Sequence, residues 1–346
     1  MTFLFVLFSF FLIYLLFVIL YPTKRFRPRR VDSCLYKLPD LYLYSFQLHV
    51  HSQFSYDSLG KPEDITRAAK EENIDYVVVT DHENDSIKHF ADERLIGGLE
   101  KKITGEEGKV LGDLLMADDL RVVAHPFKEK YRWKLDLPES YLIELIDLKD
   151  VLLERKALMF FLIPYILLTA VFSKRLVLEA LKKLIDLRKY AGLYLKMGIR
   201  NRVVGGLDHH VKLYIREVGI RFLFPSYKHS FKIMRNFLIS NKKIDNKVQF
   251  IEVLREGMLL ISFSHKPTLY WKEDGFLKVL PSEKCLLIKM GVHDEECYEG
   301  SFFELKPEGG LTMFLGYTYI FSFKGFYFGL KPLFLFLWKE ADEGKG

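Results

Sequence analysis

The chain has 346 residues, enough for two domains of about 100–200 residues each. Hydrophobic residues make up 49% and charged residues 28%, which supports a packed core and excludes general disorder. The net charge is +6, and five basic residues lie between Lys24 and Arg30, so the remainder is nearly neutral and no broad nucleic-acid-binding face is expected. Three cysteines, Cys34, Cys285 and Cys297, are too few and too scattered for a disulfide scaffold or a cysteine-based zinc site.

The N-terminal segment is uncharged and strongly apolar from Phe3 to Tyr21. A helix of that length matches the ~30 Å hydrocarbon core of a bilayer. A cleaved signal peptide is the alternative, but no basic stretch precedes the run and no small-residue cleavage site follows it. We therefore predict a single-pass membrane anchor over residues 1–22. The basic linker that follows, residues 23–44, predicts a cytoplasmic main body and contact of residues 24–30 with anionic lipid.

The middle of the chain alternates apolar runs with helical stretches, the pattern of an α/β fold. Strands are predicted over residues 47–50, 76–80, 121–124, 150–153 and 203–206. Pro62 is placed to begin a helix that ends near Asn73.

A second uncharged run covers residues 157–173, between two basic pairs. Pro164 near its middle suits a bend. The run fits either a core-packed helix pair or a hairpin at the membrane interface, anchored by the basic pairs.

The pattern changes after a helix predicted from Asp245 to Glu256, which forms most of a connecting segment over residues 245–262. Short alternating stretches follow at residues 276–280, 286–290, 318–323 and 333–338. Glycine and proline interrupt them. We predict a small antiparallel β domain over residues 263–340.

Histidines and carboxylates lie in short polar motifs at the ends of the predicted strands. A His-x-His pair places both imidazoles on one face of a strand, because side chains alternate. Mixed His, Asp and Glu sites suit zinc, manganese or iron, and several such ions together serve phosphoester hydrolysis by lowering the pKa of water toward ~7. The motif residues are His49, His51, Asp57, His82, Glu107, His125, Asp208 and His210.

In their order HxH, Asp, TDH, GxE, HP and DxH, these motifs resemble the PHP (polymerase and histidinol phosphatase) superfamily of metal-dependent phosphoesterases. The resemblance implies a distorted (β/α)7 TIM-like barrel, here over residues 45–244, with two or three divalent ions at the strand ends. It implies a first ion on His49, His51, Glu107 and Asp208, a second on Glu107 and His125, and a third on Asp57, His82 and His210. The catalytic set implied is His49, His51, Glu107, His125, Asp208 and His210.

One departure from the family concerns the second ion. The family usually has a histidine some ten residues after the GxE glutamate, within a Gly-His pair. Counted from Glu107, that place is held by Lys109 in a shortened loop.

The function predicted from the sequence is therefore hydrolysis of a phosphomonoester or phosphodiester by a membrane-tethered barrel. A non-catalytic, tethered metal-binding sensor or scaffold is the alternative that Lys109 supports. A metal hydrolase of C–N bonds ranks third, because related barrels also begin with HxH but end in a lone Asp.

Overall fold

The computed structural model describes residues 2–31, 36–217, 220–306 and 310–339, so Cys34 lies outside the described residues. The helices are α1 (Thr2–Leu20), α2 (Pro62–Glu71), α3 (Leu148–Glu154), α4 (Lys156–Phe172), α5 (Lys174–Lys182), α6 (Leu187–Lys196), α7 (Tyr227–Ile233) and α8 (Lys247–Leu254). The first twelve strands are β1 (Lys24–Arg25), β2 (Arg29–Arg30), β3 (Tyr42–Val50), β4 (Tyr76–His82), β5 (Leu95–Thr104), β6 (Val110–Ala117), β7 (Leu120–Ala124), β8 (Leu142–Asp147), β9 (Val203–Gly206), β10 (Leu213–Glu217), β11 (Ile220–Phe224) and β12 (Arg235–Ser240). The remaining strands are β13 (Met258–Ser262), β14 (Leu269–Glu273), β15 (Phe276–Leu280), β16 (Cys285–Met290), β17 (Glu295–Gly300), β18 (Phe303–Leu305), β19 (Leu311–Thr318), β20 (Phe321–Phe323), β21 (Phe326–Phe328) and β22 (Lys331–Lys339).

The main structural element is one sheet of 14 strands in the order β2-β17-β16-β19-β22-β13-β12-β3-β4-β5-β6-β7-β8-β9. Strands β3, β4 and β5 run parallel, β6 is antiparallel to both β5 and β7, and β7, β8 and β9 are again parallel. The predicted α/β class is confirmed. The regular strand–helix alternation is interrupted, because β5, β6 and β7 follow one another as a meander with no α-helix between them.

Strand β9, the last of the metal-motif strands, is linked to β3, the first of them. An isolated parallel bridge joins Val50 to His209. The amide of Leu207 donates to the Leu48 carbonyl at 3.0 Å, and the amide of His51 donates to the His209 carbonyl at 3.0 Å. The C-terminal ends of β3 and β9, where the HxH and DxH motifs lie, are therefore held side by side.

The buried strands agree with the apolar runs of the sequence, with one exception. Residues Tyr76–Asp81 are all buried, as expected for a strand covered on both faces. Residues 150–153, predicted as a strand, lie instead in helix α3, and the strand there is β8. Asp147 is the reason: its carboxylate accepts from the amide of Asp150 at 2.8 Å and so caps the helix.

The C-terminal third is a β structure, as predicted, with its own buried aromatic core that includes Phe314, Phe334 and Phe336. Strands β16, β17, β19 and β22 of this region belong to the same sheet as the metal-motif strands, through the pairing of Ile261 with Leu335 and of Ser262 with Phe334, whereas β14, β15 and β18 form a separate sheet. The predicted helix of the connecting segment is α8, capped by Asn246, whose side chain accepts from the Gln249 amide at 3.0 Å.

Among the described residues, the structure contains no helix with the length and apolar character needed to cross a membrane. The anchor predicted over residues 1–22 and the membrane localisation that rested on it are therefore wrong. Residues 157–172 of this run lie in the single helix α4, which begins at Lys156, the second residue of the preceding basic pair, so the run is not a helix pair.

Helices α1 and α4 contact each other beside Pro164. The amide of Tyr165 donates to the Tyr14 hydroxyl at 3.1 Å, and that hydroxyl donates to the Phe161 carbonyl at 2.8 Å. A hydroxyl is thus inserted into the hydrogen-bond ladder of α4, a recognised cause of helix bending. Lys183 donates to the carbonyls of Val18 and Ile19 at 2.8 and 2.7 Å, which satisfies the C-terminal end of α1.

Candidate metal centre

Polar side chains converge where strands β3, β4, β5, β7 and β9 end. Three of their residues have a left-handed backbone that is uncommon outside glycine: His49 (φ 60°), His125 (φ 49°) and Asp208 (φ 43°). Each such conformation costs of order 1–3 kcal/mol and is found mainly where function requires it. The turn that it introduces allows the side chains of different strands to meet in one buried cluster.

Glu100, at the end of the parallel part of β5, is the central residue of this cluster. Its Oε2 atom lies 3.2 Å from His49 Nε2, 3.3 Å from His51 Nε2 and 3.0 Å from His82 Nδ1. Its other oxygen, Oε1, lies 3.5 Å from His125 Nε2. Because the two oxygens face different histidines, one carboxylate has the arrangement of a ligand that bridges two ions.

Glu107 does not join the cluster, which corrects the assignment made from the sequence. It lies exposed in a short 3-10 helix between β5 and β6. The segment Gly98-Leu99-Glu100 has the same GxE spacing and ends the apolar part of β5, whereas Glu107 follows a run of charged residues. A Cβ atom on Gly98 would lie 2.3 Å from the Met116 carbonyl oxygen, so glycine is required there.

With Glu100 as the GxE glutamate, Lys109 no longer stands at the place of the family's histidine. Counted from Glu100, the place of the family's Gly-His pair is taken by Gly112-Asp113. Asp113 is buried, and one of its ligand atoms groups with those of Glu100 and His125. An aspartate therefore stands where the family has a histidine, and Lys109 is an exposed residue of the turn.

A second part of the cluster contains Asp57, His82 and His210, as the sequence predicted. His210 Nε2 lies 3.0 Å from Asp57 Oδ1, and His82 Nε2 lies 3.7 Å from the same oxygen. The two imidazole Nε2 atoms are 3.4 Å apart. Two nitrogens and an oxygen that face one point form a three-atom donor set for a cation.

Four of the histidines share one orientation, in which Nδ1 is held by a neighbour and Nε2 faces the cluster. The partners of Nδ1 are Glu144 Oε1 for His49 (2.7 Å), Ser55 Oγ for His51 (2.9 Å), Asp150 Oδ2 for His125 (3.0 Å) and the Asp208 carbonyl for His210 (3.0 Å). When each imidazole is neutral and carries its proton on Nδ1, its Nε2 lone pair is directed inward. This is the usual support for metal-ligating histidines. Neighbouring carboxylates raise the pKa of His49 and of His125, so these two lose a proton when a metal binds.

The sequence reasoning missed the supporting carboxylates of β8 and α3, namely Glu144, Asp147 and Asp150. Glu144 is fully buried, and its second oxygen accepts from the His125 amide at 3.1 Å. The space for it exists because residue 206 is glycine, where a Cβ would lie 1.5 Å from Glu144 Oε1. The signal was available in the segment Leu142–Asp147, an apolar run with two carboxylates that ends one residue before helix α3.

Four buried atoms of the proposed ligand residues have no hydrogen-bond partner among the described residues: His51 Nε2, Asp57 Oδ1, Asp113 Oδ1 and Asp208 Oδ1. Burying such atoms without a partner is unfavourable, and divalent ions bound at the cluster would supply the missing partners. Burial lowers the pKa of His51 to about 3 and that of His210 to about 4. Both imidazoles are neutral at pH 7 and hence able to bind a metal.

The cluster opens into a cavity of about 190 Å³ whose wall carries lysine and tyrosine side chains. Lys149 Nζ lies 2.8 Å from Asp208 Oδ2, and Lys128 Nζ lies 2.6 Å from Asp150 Oδ1. Both ammonium groups therefore lie at the wall of the cavity that opens over the cluster. Arg202, by contrast, donates to the backbone carbonyls of Leu254 and Gly257 at the end of α8.

Comparison with known protein families is consistent with a metal centre at this place. Residues 47–267, more than half of the chain, match the family model described as the PHP domain. The protein belongs to the PHP family. Several groups of ligand atoms able to hold an ion lie at the strand ends of this PHP domain, with the atoms of each group within 4.8 Å of one another.

One solved structure is similar to this PHP protein: a two-domain protein from Bacteroides vulgatus ATCC 8482, described as containing a predicted PHP-like metal-dependent phosphoesterase. The two chains are 13% identical, and the TM-score is 0.37. The match covers 89% of this chain and 100% of the other. No curated protein matches this chain.

Proposed function

We propose that this PHP protein hydrolyses phosphomonoesters with the aid of three divalent ions. The observation that carries the proposal is the shared orientation of the histidines, with Nδ1 held by supporting groups and Nε2 directed at buried carboxylates. Such a donor set of imidazoles and carboxylates suits zinc, manganese or iron.

Three donor sets follow from the distances above. The first is His49, His51, Glu100 and Asp208. The second is Glu100, Asp113 and His125. The third is Asp57, His82 and His210. Ions bound there would supply a lowered pKa for water and neutralisation of negative charge on phosphoryl oxygens.

The protein's own contribution to the reaction is to bind and orient the phosphoryl group. Lys128 and Lys149 hold ammonium groups at the wall of the cavity, within reach of any phosphoryl oxygen placed over the cluster. Their carboxylate partners, Asp150 and Asp208, fix these ammonium groups before the substrate arrives. Preorganised charge of this kind stabilises the charge that develops in the transition state.

The cavity favours a monoester over a diester. It is small, and its wall places two ammonium groups beside the cluster, which matches the dianion of a monoester better than the single charge of a diester. Tyr131 also lines the cavity, and the centre of its ring lies 5.2 Å from Lys128 Nζ.

The test compares an aryl phosphate monoester with the matched diester, using protein loaded with Mn²⁺ or Zn²⁺. We expect faster hydrolysis of the monoester, and loss of activity in His49→Ala and Asp208→Ala. Lys149→Met should raise KM and lower kcat, whereas Lys196→Met, an exposed lysine outside the cavity, should change neither. Metal-loaded protein that hydrolyses neither ester would refute the proposal, and a preference for the diester would refute its substrate class.

The non-catalytic sensor lacks a supporting observation. Its support was the apparent replacement of a ligand by Lys109, and the structure shows that residue 109 is not at the site.

A further inference from the structure

A cavity of about 770 Å³ lies away from the metal centre, where helices α5 and α7 face the β13–β14 loop and the start of β22. Its volume is within the range of pockets that hold small organic ligands. None of its lining residues also lines the cavity of the metal centre.

The lining of this cavity, called the basic cavity below, is strongly basic. Among its charged side chains, the carboxylates are Glu179 and Glu283, and the basic residues are Lys174, Arg175, Lys182, Lys228, Lys232, Lys266 and Lys331. Glu179 is already paired with two of these lysines, at 3.1 Å to Lys182 and in close contact with Lys331. The cavity therefore holds a large excess of positive charge that its own carboxylates do not neutralise.

Three of the basic groups have no carboxylate within ion-pair distance among the described residues: Lys174, Arg175 and Lys266. All three are exposed to solvent at the cavity. Lys228 and Lys232, by contrast, are held by Glu71 and Glu72 at 2.5 and 3.2 Å. The free groups are thus available to a ligand, while the paired ones fix the shape of the wall.

Two further observations indicate that the ligand is an anion. Lys174 and Arg175 occupy the first turn of helix α5, where a positive side chain opposes the helix dipole unless an anion is bound. Ser282, which also lines the cavity, has a buried Oγ atom without a hydrogen-bond partner among the described residues. A hydroxyl beside cationic groups is a typical phosphate contact.

His229, which also lines the cavity, lies in the positive field of the surrounding lysines. Burial lowers the pKa of this imidazole, and Lys174, Lys232 and Lys228 lower it further. A bound polyanion would reverse that field, since opposite charges stabilise each other.

We propose that the basic cavity is a binding site for a small ligand that carries two or more phosphate groups. A single phosphate fills only part of the volume and engages few of the basic groups, whereas a polyphosphate reaches α5 and the β13–β14 loop together. The site is separate from the hydrolytic centre, so its occupancy does not depend on bound metal.

The test is calorimetric titration of the full chain in EDTA with inorganic phosphate, pyrophosphate and tripolyphosphate. We expect one tripolyphosphate per chain, at least tenfold tighter binding than phosphate, and weaker binding as the salt concentration rises. Arg175→Gln/Lys266→Gln should weaken tripolyphosphate binding at least tenfold. The matched control Lys196→Gln/Lys242→Gln removes the same charge from exposed positions outside the cavity and should leave binding unchanged.

Two further variants make the outcome decisive. Lys266→Glu, on an exposed loop, reverses one charge and should weaken binding without loss of folding, which thermal unfolding checks. Glu100→Gln, at the metal centre, should bind tripolyphosphate as the wild type does. Absence of binding up to 1 mM, equal weakening by both double variants, or loss of binding in Glu100→Gln would overturn the proposal.

Discussion

Replacing Glu100 with glutamine tests directly the proposal that its carboxylate binds two ions. The substitution keeps the shape but removes the charge and one of the two oxygens that face His49, His51, His82 and His125. A carboxylate about 2.1 Å from a zinc ion attracts it by about 4 kcal/mol even at the dielectric constant of water. This corresponds to roughly a 10³-fold loss of affinity for each ion that Glu100 binds.

The assay is metal content per chain after equilibration at a fixed free Zn²⁺ or Mn²⁺ concentration, followed by hydrolysis of the aryl phosphate. We expect Glu100→Gln to lose at least one ion and nearly all activity. Glu107→Gln is the matched control, since it makes the same chemical change at an exposed residue only seven positions away. Full metal content in Glu100→Gln, or metal loss in Glu107→Gln, would refute the reasoning.

Substitutions at three further positions test the surroundings of the centre. Asp113→Asn should lower the metal content by one ion while Asp113→His retains it, as elemental analysis would show; equal content in both variants would contradict the role of this residue. Gly206→Ala should lower the free energy of unfolding by about 1–3 kcal/mol, because the new Cβ would overlap Glu144; an unchanged urea denaturation midpoint would count against this. Tyr227→Phe removes the 2.7 Å hydrogen bond to the His51 carbonyl and should cost about 1 kcal/mol in the same measurement, so a cost near zero would show that the contact is not stabilising.

The sequence predicted the strands of the metal-bearing half where a continuous apolar run ends in a polar motif. Residues 76–80 and 203–206 are cases of this kind, and the structure has strands β4 and β9 there. Burial on both faces leaves few residue types acceptable, so the pattern is unambiguous. The positions of His49, His51, His82, His125, Asp208 and His210 in one cluster follow from that strand arrangement.

The ligand glutamate was not identified correctly because two segments have the same local spacing. Gly98-Leu99-Glu100 and Gly105-Glu106-Glu107 both read GxE, and only the pairing register of β5 with β4 and β6 shows which glutamate ends beside the histidines. Asp113 was then overlooked because the count began from the wrong residue. Long-range register of this kind is not encoded in a window of a few residues.

The sequence did not identify the supporting carboxylates or the contacts of the N-terminal helix, and the reason is different. Asp147 ends a strand and caps a helix at once, so the boundary was placed several residues too late. For the N-terminal helix, the apolar composition alone suggested a membrane anchor. The helix in fact contacts Lys183 and Tyr165, which lie far along the chain. Tertiary contacts decide such segments, and composition does not reveal them.

The seam between β13 and β22 has a consequence for chains that lose their C-terminus. The residue pairs Ile261–Leu335 and Ser262–Phe334 join these strands, and the Phe263 amide donates to the Leu333 carbonyl at 2.9 Å, so β22 covers part of one edge of β13. Without β22, the apolar strand Met258–Ser262 would offer unsatisfied backbone groups to other molecules. A prematurely terminated product would thus retain every metal ligand and still be prone to aggregate during synthesis, before its metal centre could form.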